Sequence, residues 1–500
     1  MNFLRLHDPL LAVIYEDSDI IAIDKPYGFN AHTNDSKIEH STFIEDGLIE
    51  IYEKNRGSKL HIIHRLDQTT TGVMIFGKSA ESAKKYADFF FNRQVKKTYW
   101  FVTDKSSTAN TRHIDQVIIH KGRELVANTD FQFFKKSDRY HLWKAHPHTG
   151  RNHQIRIHAE AAGLSLLGDE KYNGKPYPFL CLHNQLIEFP NGIKIESRLP
   201  TYFEKLDLLN DIFLAKLFFE YDRRQRLFGA HFSGQIRLVH NLNQSYDPGY
   251  TLDQFGDQCI LNWSKDLLTA QDTQKIKYFS DYIKKPILLI HNNQQQLASS
   301  DEKLKLTETG LKLNQRLQSY WILRNSESKT VLNLFSNTGT MALAAAKGHA
   351  KSVTLVEIQK SLLNRSKQSF EEHQLVSEQI KFLCRDSLVY LEQCAQKKIC
   401  FDLIICDAVS FYRREKGLFK IEKDLENLLE MCLKSLNQNG QLLFSTQHEE
   451  FYINDLKEAF EKIQKKLIIP NLEINCILPS MDFERPQEKT NLKSFLVVKS

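Results

Sequence analysis

A polar stretch between two apolar runs contains an aspartate that could take part in chemistry. Residues 64–72 read HRLDQTTTG and lie between the apolar runs 60–63 and 73–76, a pattern that predicts strand, loop and strand. Asp67 would then lie on a loop held by a sheet, beside an arginine, where a carboxylate can act as a nucleophile or a base. The alternative is a turn aspartate that accepts hydrogen bonds from its own backbone.

Further segments flank this loop in a definite order along the chain. They read DKPYG at 24–28, KKTY at 96–99, TGRNHQIRIH at 149–158, LGD at 167–169 with Tyr172, and LH at 182–183. Together with HRLDQTTTG, they resemble the ordered motifs of the RluA family of RNA pseudouridine synthases. The resemblance implies an α+β catalytic domain built on a mixed, largely antiparallel sheet.

The same resemblance implies roles for individual side chains. It implies an enzyme that isomerises uridine to pseudouridine without a cofactor and takes the base out of its stack. Asp67 is then the catalytic nucleophile, Arg156 pairs with it and keeps it ionised, and Tyr99 stacks on the flipped uracil. RNA contacts are expected from His64, Arg65, Arg151 and His153.

Two of these residues also have simpler explanations. Tyr99 could be a core tyrosine on a strand, since aromatic residues are common in strands. Arg156 alternates with Ile155 and Ile157 in QIRIH, so it could face solvent from a half-buried strand.

A second group of polar residues follows predicted strands in the C-terminal part of the chain. Strand patterns at 331–335, 353–357, 380–385 and 401–406 alternate with helix patterns, which predicts a doubly wound parallel sheet, the α/β Rossmann-like fold. The strand ends carry SNTG at 336–339, Glu357, Asp386 and Asp407. One ligand crevice is expected there, since ligands bind outside the carboxyl ends of such strands.

The residues of this crevice suit a nucleoside. Glu357 can accept two hydrogen bonds from a ribose diol, Asp386 can accept one from an adenine amino group, and Gly339 lets the backbone approach the ligand. VLNLFSNTG at 331–339 resembles motif I of class I S-adenosylmethionine methyltransferases of the large-subunit rRNA guanine-N7 and cytosine-5 group, and residues 480–485 resemble the tail of the guanine-N7 branch. The resemblance implies S-adenosylmethionine as the cofactor, with contacts from Asn333, Phe335, Ser336, Gly339, Glu357, Asp386 and Asp407.

Two departures from that family leave alternatives open. Asp407 is followed by Ala408-Val409 where the family has Pro-Pro, and Asn314 stands where an acid is usual before Gln-Arg. No cysteine lies at 444–447, which argues against the covalent cytosine branch. The acids could merely cap helices, as Asp386 before Ser387 could do. The site could also be present in the fold but catalytically inactive.

The length and composition of the whole chain limit these hypotheses. Its 500 residues predict about three domains, which we place at 1–205 for the pseudouridine synthase domain, 206–312 for a connector helix and a small β-rich domain, and 313–500 for the methyltransferase-like domain. The eight cysteines form no CxxC pair, so neither a metal site nor a disulfide frame is indicated. No apolar run reaches the roughly 20 residues that cross a bilayer, so a cytoplasmic protein without a membrane partner is expected.

These features together predict a fused enzyme that modifies RNA. The expected substrate is 23S ribosomal RNA or its assembly particle, and the net charge of +6 is compatible with an RNA partner. One alternative is a pseudouridine synthase whose C-terminal domain binds RNA but is catalytically inactive. Another is a ribosome-assembly factor that binds RNA and catalyses nothing.

Overall fold

The structure is a computed structural model, and it divides the chain into two compact units. It describes residues 2–4, 12–31, 48–49, 53, 57–120, 122–229, 235–239, 249–263, 267–291, 294–297, 313–414, 417–448, 450–477, 480 and 492–500. One unit comprises residues 9–304, and the other comprises residues 305–500 together with residues 1–8. The first strand of the chain, β1 (Asn2–Leu4), therefore belongs to the C-terminal unit.

A ten-stranded sheet forms the centre of the N-terminal unit. Its strands are β2 (Val13–Glu16), β3 (Ile20–Lys25), β4 (His61–Ile62), β5 (Thr71–Gly77), β6 (Lys96–Thr103), β7 (Thr111–His120), β8 (Arg123–Ser137), β9 (Tyr140–Pro147), β10 (Leu182–Glu188) and β11 (Lys194–Glu196). The strand order is β2-β3-β5-β10-β6-β9-β8-β7, with β4 on β5 and β11 on β10. Only the β5–β10 pair is parallel among these described strands, so the predicted mixed, largely antiparallel sheet is confirmed.

Helices α1 (Ala80–Phe91), α2 (Gln154–Ala161), α3 (Thr201–Glu204) and α4 (Ile212–Phe228) pack on this sheet. Helix α1 begins where Ser79 and Ser82 form a capping box, and it buries Ala83 and Tyr86. Helix α2 contains QIRIH, so the strand alternative for Arg156 is wrong. The buried positions 154, 155, 158 and 159 follow helical spacing, and the alternation of isoleucines was coincidental.

Helix α4 packs into the same unit that holds the ten-stranded sheet. Its Arg226 is buried, and Nε donates to Asp24 Oδ1 at 3.0 Å across 202 residues of sequence. The helix that the sequence suggested as a connector is thus part of the core beneath the first sheet. The domain boundaries at 205 and 312 remain predictions.

A five-stranded sheet completes the N-terminal unit. Its strands are β12 (Gln235–Val239), β13 (Tyr250–Phe255), β14 (Gln258–Trp263), β15 (Ile287–His291) and β16 (Gln294–Leu297), in that order. Helix α5 (Ala270–Ile283) joins β14 to β15, which pair in parallel, and it begins at a Thr269–Asp272 capping box. The apolar runs at 236–239 and 259–263 correspond to β12 and β14, and the turn-rich residues 243–248 of the predicted β-rich region lie outside the described residues.

The C-terminal unit is a doubly wound sheet of eight strands, as the sequence predicts. Its strands after β1 are β17 (Thr330–Leu334), β18 (Ser352–Glu357), β19 (Ile380–Cys384), β20 (Phe401–Ala408), β23 (Leu436–Thr446), β24 (Leu472–Ile477) and β25 (Lys493–Lys499), and a hairpin adds β21 (Phe411–Arg413) and β22 (Leu418–Lys420). The strand order is β1-β24-β25-β23-β20-β17-β18-β19. Strands β17 to β20 and β23 run parallel, and the order reverses at β17.

Helices cover this sheet. They are α6 (Arg316–Asn325), α7 (Thr340–Lys347), α8 (Lys360–Glu372), α9 (Ser387–Lys397), α10 (Ile421–Lys434) and α11 (Ile453–Leu467). Parallel strands buried on both faces read as unbroken apolar runs, and residues 331, 332 and 334 of β17 are indeed fully buried. The protein contains no disulfide at any of its eight cysteines. Among the described residues, no helix combines the length and apolar composition needed to cross a membrane.

Candidate active sites

A cleft of about 730 Å³ opens in the N-terminal unit, and its wall brings together residues that are distant in sequence. The loop between β4 and β5, strand β6 and the start of α2 supply its polar lining. Every residue that the sequence predicts for isomerisation or RNA contact lies on this wall. These residues are Asp67, Tyr99, Arg156, His64, Arg65, Arg151 and His153.

Asp67 projects into the cleft from the loop. Its Oδ2 lies 3.7 Å from Arg156 Nη1 and 3.7 Å from His153 Nε2. In the described part of the chain, no backbone N–H donates to this carboxylate, and the turn is closed instead by Thr70 N donating to the Asp67 carbonyl. The carboxylate is therefore available to a ligand in the cleft, which is not the turn-capping arrangement.

Asp169 is the principal partner of Arg156, and the sequence did not assign it that role. Arg156 Nε and Nη2 donate to the two carboxylate oxygens of Asp169, each at 2.7 Å, and Asp169 is buried. Bidentate pairing fixes the plane of a guanidinium. Arg156 also lies over the Tyr172 ring at 4.9 Å. The third nitrogen, Nη1, is thereby directed toward Asp67. The only sequence signal was the segment LGD with Tyr172.

His153 connects Tyr172 to the Asp67 carboxylate. It lies at the start of α2 in a left-handed conformation, with φ of 54°. Its Nδ1 and the Tyr172 hydroxyl are 2.8 Å apart. Burial lowers the pKa of His153, although the nearby Asp67 opposes this effect. At neutral pH, His153 is thus better suited to a hydrogen bond than to a fixed positive charge.

His64 supports the loop from below. Its Nε2 accepts a hydrogen bond from Ile75 N at 3.1 Å, and its ring stacks on Phe90 at 4.9 Å. Burial, together with the charge of Lys97, lowers the pKa of His64 to about 3. A neutral ring with an occupied Nε2 is poorly suited to bind phosphate, so the geometry favours a supporting role over the predicted RNA contact.

The two arginines predicted for RNA contact differ in their surroundings. Arg65 is exposed at the rim of the cleft. Arg151 is half-buried, and its Nε donates to the Val126 carbonyl of strand β8 at 3.3 Å. Both keep guanidinium nitrogens that could donate to a phosphate.

Tyr99 lies on β6 and lines the cleft beside Asp67. Burial raises the pKa of Tyr99 above its ordinary value, and the negative charge of Asp67 adds to the effect. The phenol therefore stays protonated at neutral pH. Its partly buried ring packs at the edge of the core, so the side chain joins the core and the cleft at once.

Lys25 is a further residue of this site that sequence analysis did not single out. The ammonium group is fully buried, and Nζ donates to the carbonyls of Pro26, Gln68 and Thr70 at 3.2, 3.0 and 2.8 Å. Burial lowers the pKa of Lys25 to about 7. Lys25 thus ties the end of β3 to the loop that carries Asp67. Its position inside DKPYG was the available signal.

Gly72 allows that loop to enter the sheet. Its φ is 109°, and a Cβ at this position would lie 2.1 Å from the Asn184 carbonyl oxygen. Only glycine tolerates both the positive φ and the close approach.

In the C-terminal unit, Glu357 lies at the end of β18 and is nearly buried. Its Oε2 accepts from Asn337 N and its Oε1 accepts from Gln359 N, both at 2.9 Å. Each oxygen retains a second lone pair, so the carboxylate is oriented by the backbone and can still accept hydrogen bonds from a diol.

Asp386 caps helix α9. Its Oδ1 accepts from Leu388 N and Val389 N, and its Oδ2 accepts from Arg414 Nε at 2.8 Å. The capping alternative is therefore observed for this acid. Both oxygens already have partners, which leaves less capacity for an adenine amino group than the sequence suggested.

Asp407 lies near the end of β20, where Gln315 and Ser445 hold it. Gln315 Nε2 donates to Oδ1 at 2.7 Å, and Ser445 Oγ donates to the same oxygen at 2.8 Å. Strand β20 continues through Ala408, which pairs with Thr446 of β23. At the positions where the family has Pro-Pro, this chain has Ala408-Val409, and strand β20 extends one residue beyond Asp407.

The loop after β17 has an unusual backbone and unsatisfied side chains. Phe335, Asn337 and Gly339 all have positive φ, at 51°, 50° and 75°. A Cβ on Gly339 would meet Ser366 Oγ at 2.8 Å. The glycine is thus required by its positive φ and by its packing on α8, and its expected approach to the ligand stays a prediction.

Buried polar atoms around this loop fit a bound cofactor. In the described part of the chain, Ser336 Oγ, Thr338 Oγ1 and the Asn333 Oδ1 have no hydrogen-bond partner. Buried groups of this kind usually find a partner, which can be a ligand. Together with the oriented Glu357, they fit a nucleoside with hydroxyl groups.

One further cluster could hold a cation in principle. Glu422, His448 and Glu450 bring ligand atoms within 4.8 Å of one another, and both carboxylates are exposed. Exposed acidic groups often cluster without a metal, so we assign no metal function to them.

Known proteins resemble the two parts of the chain separately. The RNA pseudouridylate synthase family model matches residues 19–161, and the S-adenosylmethionine-dependent methyltransferase model matches residues 297–465. Ribosomal large subunit pseudouridine synthase C of Rickettsia felis is 33% identical over 215 residues, which cover 38% of this chain and 68% of that protein.

Relatives of the C-terminal part include two methyltransferases. The Bacillus subtilis protein YwbD, a candidate ribosomal RNA large subunit methyltransferase, is 30% identical over 291 residues, or 51% of this chain and 73% of its own length. Ribosomal RNA large subunit methyltransferase K/L of Shewanella oneidensis is 35% identical over 188 residues, or 37% of this chain, and the match spans only 25% of that relative. The chain therefore belongs to the RNA pseudouridylate synthase family through its N-terminal part and to the S-adenosylmethionine-dependent methyltransferase family through its C-terminal part.

Proposed function

We propose that this chain is a fused RNA-modifying enzyme that isomerises a uridine and methylates a base of large-subunit ribosomal RNA. The observation that carries the first activity is the convergence of Asp67, Arg156, Tyr99 and His153 on one cleft. The names of the relatives support the substrate class. The same proposal includes three further points. The substrate is the RNA or its assembly particle, the enzyme acts in the cytosol, and the domain boundaries lie at 205 and 312.

The isomerisation requires a flipped uridine in the cleft. Asp67 acts as the nucleophile, which attacks either the sugar or the base, while Arg156 lies beside its carboxylate and orients it. Tyr99 offers its ring for stacking. Its raised pKa keeps the phenol protonated, so Tyr99 could accept the proton that leaves C5 only after giving up its own hydroxyl proton. Arg65 and Arg151 at the wall of the cleft bind the phosphate backbone of the RNA. The cost of unstacking the uridine favours a single-stranded or loop RNA as the substrate.

Loss of the Asp67 nucleophile tests this assignment. RNA labelled with tritium at uridine C5 releases the label when the base is rejoined through C5. We expect Asp67→Asn to abolish the release, because an amide is a poor nucleophile. Asp104→Asn, which changes a carboxylate outside the cleft, is the control and should retain release. Persistent release in the Asp67→Asn protein would refute the role of Asp67, and an unchanged cellular phenotype in that variant would favour the assembly-factor alternative.

The second activity requires S-adenosylmethionine, which supplies the methyl group when it is bound. Glu357 would accept hydrogen bonds from the ribose of the bound cofactor. The hydroxyl groups of Ser336 and Thr338 would form hydrogen bonds with the same cofactor. Asn333, Phe335, Gly339 and Asp386 shape the crevice around it. Asp407, oriented by Gln315 and Ser445, would face the reacting end of the crevice.

Calorimetric titration with S-adenosylmethionine tests the second site. We expect micromolar binding that Glu357→Ala abolishes and that Glu378→Ala, an exposed carboxylate before β19, leaves intact. Absence of binding to the unaltered protein would favour the alternative of a pseudouridine synthase with a catalytically inactive, RNA-binding methyltransferase fold.

A further inference from the structure

The β21–β22 hairpin has one face turned inward and one face turned to solvent. Tyr412 and Phe419 form the inner face, stack on each other at 4.8 Å, and contact the Phe335 ring at 5.7 and 5.8 Å. Arg414, which follows β21, donates from Nε to Asp386 Oδ2. The hairpin is thereby fastened to the loop after β17 and to the acid after β19, and both of these border the proposed cofactor crevice.

The outer face of the hairpin combines apolar and basic side chains. Phe411 is 70% exposed and Leu418 is 48% exposed, so two large apolar side chains are open to solvent on one small hairpin. Arg413 and Lys420 are exposed on the same face, because Phe411 pairs with Lys420 and Arg413 pairs with Leu418 in the register. In the described part of the chain, no carboxylate pairs with either cation.

We propose that this outer face, made of Phe411, Arg413, Leu418 and Lys420, binds the single-stranded RNA that the methyltransferase site acts on. An exposed aromatic ring stacks on any base, and neighbouring cations neutralise phosphates. A protein partner fits less well, since the hairpin face is far smaller than the roughly 1,000 Å² that a stable interface needs. The inference rests on the proposed methyltransferase function and specifies where its substrate is held.

Cross-linking locates this surface without any substitution. The full chain is irradiated with ultraviolet light in the presence of a single-stranded RNA oligonucleotide, and the cross-linked peptides are identified by mass spectrometry. Mapping by peptide separates the hairpin from the cleft of the N-terminal unit, which also binds RNA in our proposal. We expect a cross-link at Phe411. A map with cross-links in the cleft and none in the hairpin would overturn the proposal and leave the face for a protein partner.

Variants measure the contribution of the face. In the double variant Arg413→Glu with Lys420→Glu, the yield of cross-linked hairpin peptide should fall at least about fivefold, because ionic contacts to phosphates are lost. In Phe411→Ala, which removes the cross-linking ring itself, the cross-link should disappear. The control is Lys351→Glu with Lys398→Glu, an equal charge change at exposed positions that precede β18 and β20, whereas the hairpin follows the carboxyl end of β20. Equal losses in the control and the hairpin variants would contradict a specific surface.

Titration with S-adenosylmethionine keeps this test separate from the test of the proposed function. Binding of S-adenosylmethionine should be unchanged in the hairpin variants, because neither oxygen of Glu357 contacts the hairpin. Cofactor binding without a hairpin cross-link would refute the RNA surface and leave the proposed function standing. A hairpin cross-link without cofactor binding would support the RNA surface and refute methyl transfer.

Discussion

At the scale of single residues, the pair of Arg156 and Asp169 decides how the cleft presents its positive charge. Asp169 is buried and Arg156 is nearly so, and the two bidentate bonds leave one nitrogen directed at Asp67. Removing one partner of a buried ion pair leaves the other charge uncompensated, which costs about 3 to 5 kcal/mol.

We therefore expect Asp169→Asn to lower both stability and isomerase activity. The free energy of unfolding should fall by about 3 kcal/mol, and tritium release should fall more than tenfold because Arg156 can turn away from Asp67. Urea denaturation and the release assay measure the two effects. Glu170→Gln makes the equivalent change at the exposed neighbour and should alter neither quantity. Similar values for both variants would refute the positioning role of Asp169.

The buried Lys25 predicts a particular dependence of stability on pH. Burial lowers the pKa of Lys25 to about 7, whereas a lysine in the unfolded chain has a pKa of about 10.4. Between these values, the unfolded chain holds a proton that the folded chain lacks, so this residue makes the protein more stable as pH rises from 7 to 10. Below pH 7 both states are protonated, and the unfavourable contribution is fully present.

Lys25→Met should remove that slope. We expect the free energy of unfolding of the unaltered protein, measured relative to Lys25→Met, to increase between pH 7 and pH 9. Urea denaturation at the two pH values measures it. Lys84→Met, at an exposed position on α1, is the control and should keep the slope. A difference between the unaltered protein and Lys25→Met that does not change with pH would show that Lys25 is protonated throughout.

At the scale of secondary-structure elements, helix α4 supports the residues that form the cleft. Arg226 donates to Asp24 Oδ1, which also accepts from Ser197 Oγ, and Asp24 immediately precedes Lys25. Arg226 Nη2 donates to the Arg198 carbonyl at 2.6 Å. The helix thus supports the strand end that, through Lys25, holds the loop of Asp67.

Two arginines near Asp222 allow this role to be tested. Arg226 is buried, whereas Arg198, which donates to Asp222 Oδ1 at 2.9 Å, has a side chain that is 57% exposed. We expect Arg226→Met to lower the free energy of unfolding by about 3 to 5 kcal/mol, since Asp24 stays buried without its cation. Arg198→Met should cost less than about 1 kcal/mol. Thermal and urea unfolding compare the two, and equal costs would contradict the supporting role of α4.

At the scale of the whole molecule, the two candidate sites lie in separate compact units. Substitutions that share no contacts usually act independently, within about 0.5 kcal/mol. Asp67→Asn should therefore leave the affinity for S-adenosylmethionine unchanged, and Glu357→Ala should leave tritium release unchanged. Calorimetry and the release assay on both variants measure this. A loss of both activities in either variant would reveal coupling between the units.

Much of this molecule could be predicted from the sequence, because local patterns reflect local structure. The strand patterns of the C-terminal part correspond to β17, β18, β19 and β20 within one or two residues, and the helix pattern between the first two corresponds to α7. Motif order also identified seven residues that the fold brings to one cleft. Periodicity failed at QIRIH, where the tertiary burial of positions 154, 155, 158 and 159 selected a helix.

Only the tertiary structure showed which groups hold the candidate catalytic residues in place. Lys25 bonds to Thr70 across 45 residues, and Arg226 bonds to Asp24 across 202 residues. Such contacts leave no periodic signal, because they depend on how strands β3 and β5 and helix α4 meet. The same holds for Asp386, for which the sequence left both a ligand contact and a helix cap open, whereas the structure shows the cap and adds a bond from Arg414. The sequence by itself thus determined the two folds and the identity of the reactive side chains, whereas long-range packing decided their partners, their burial and their protonation.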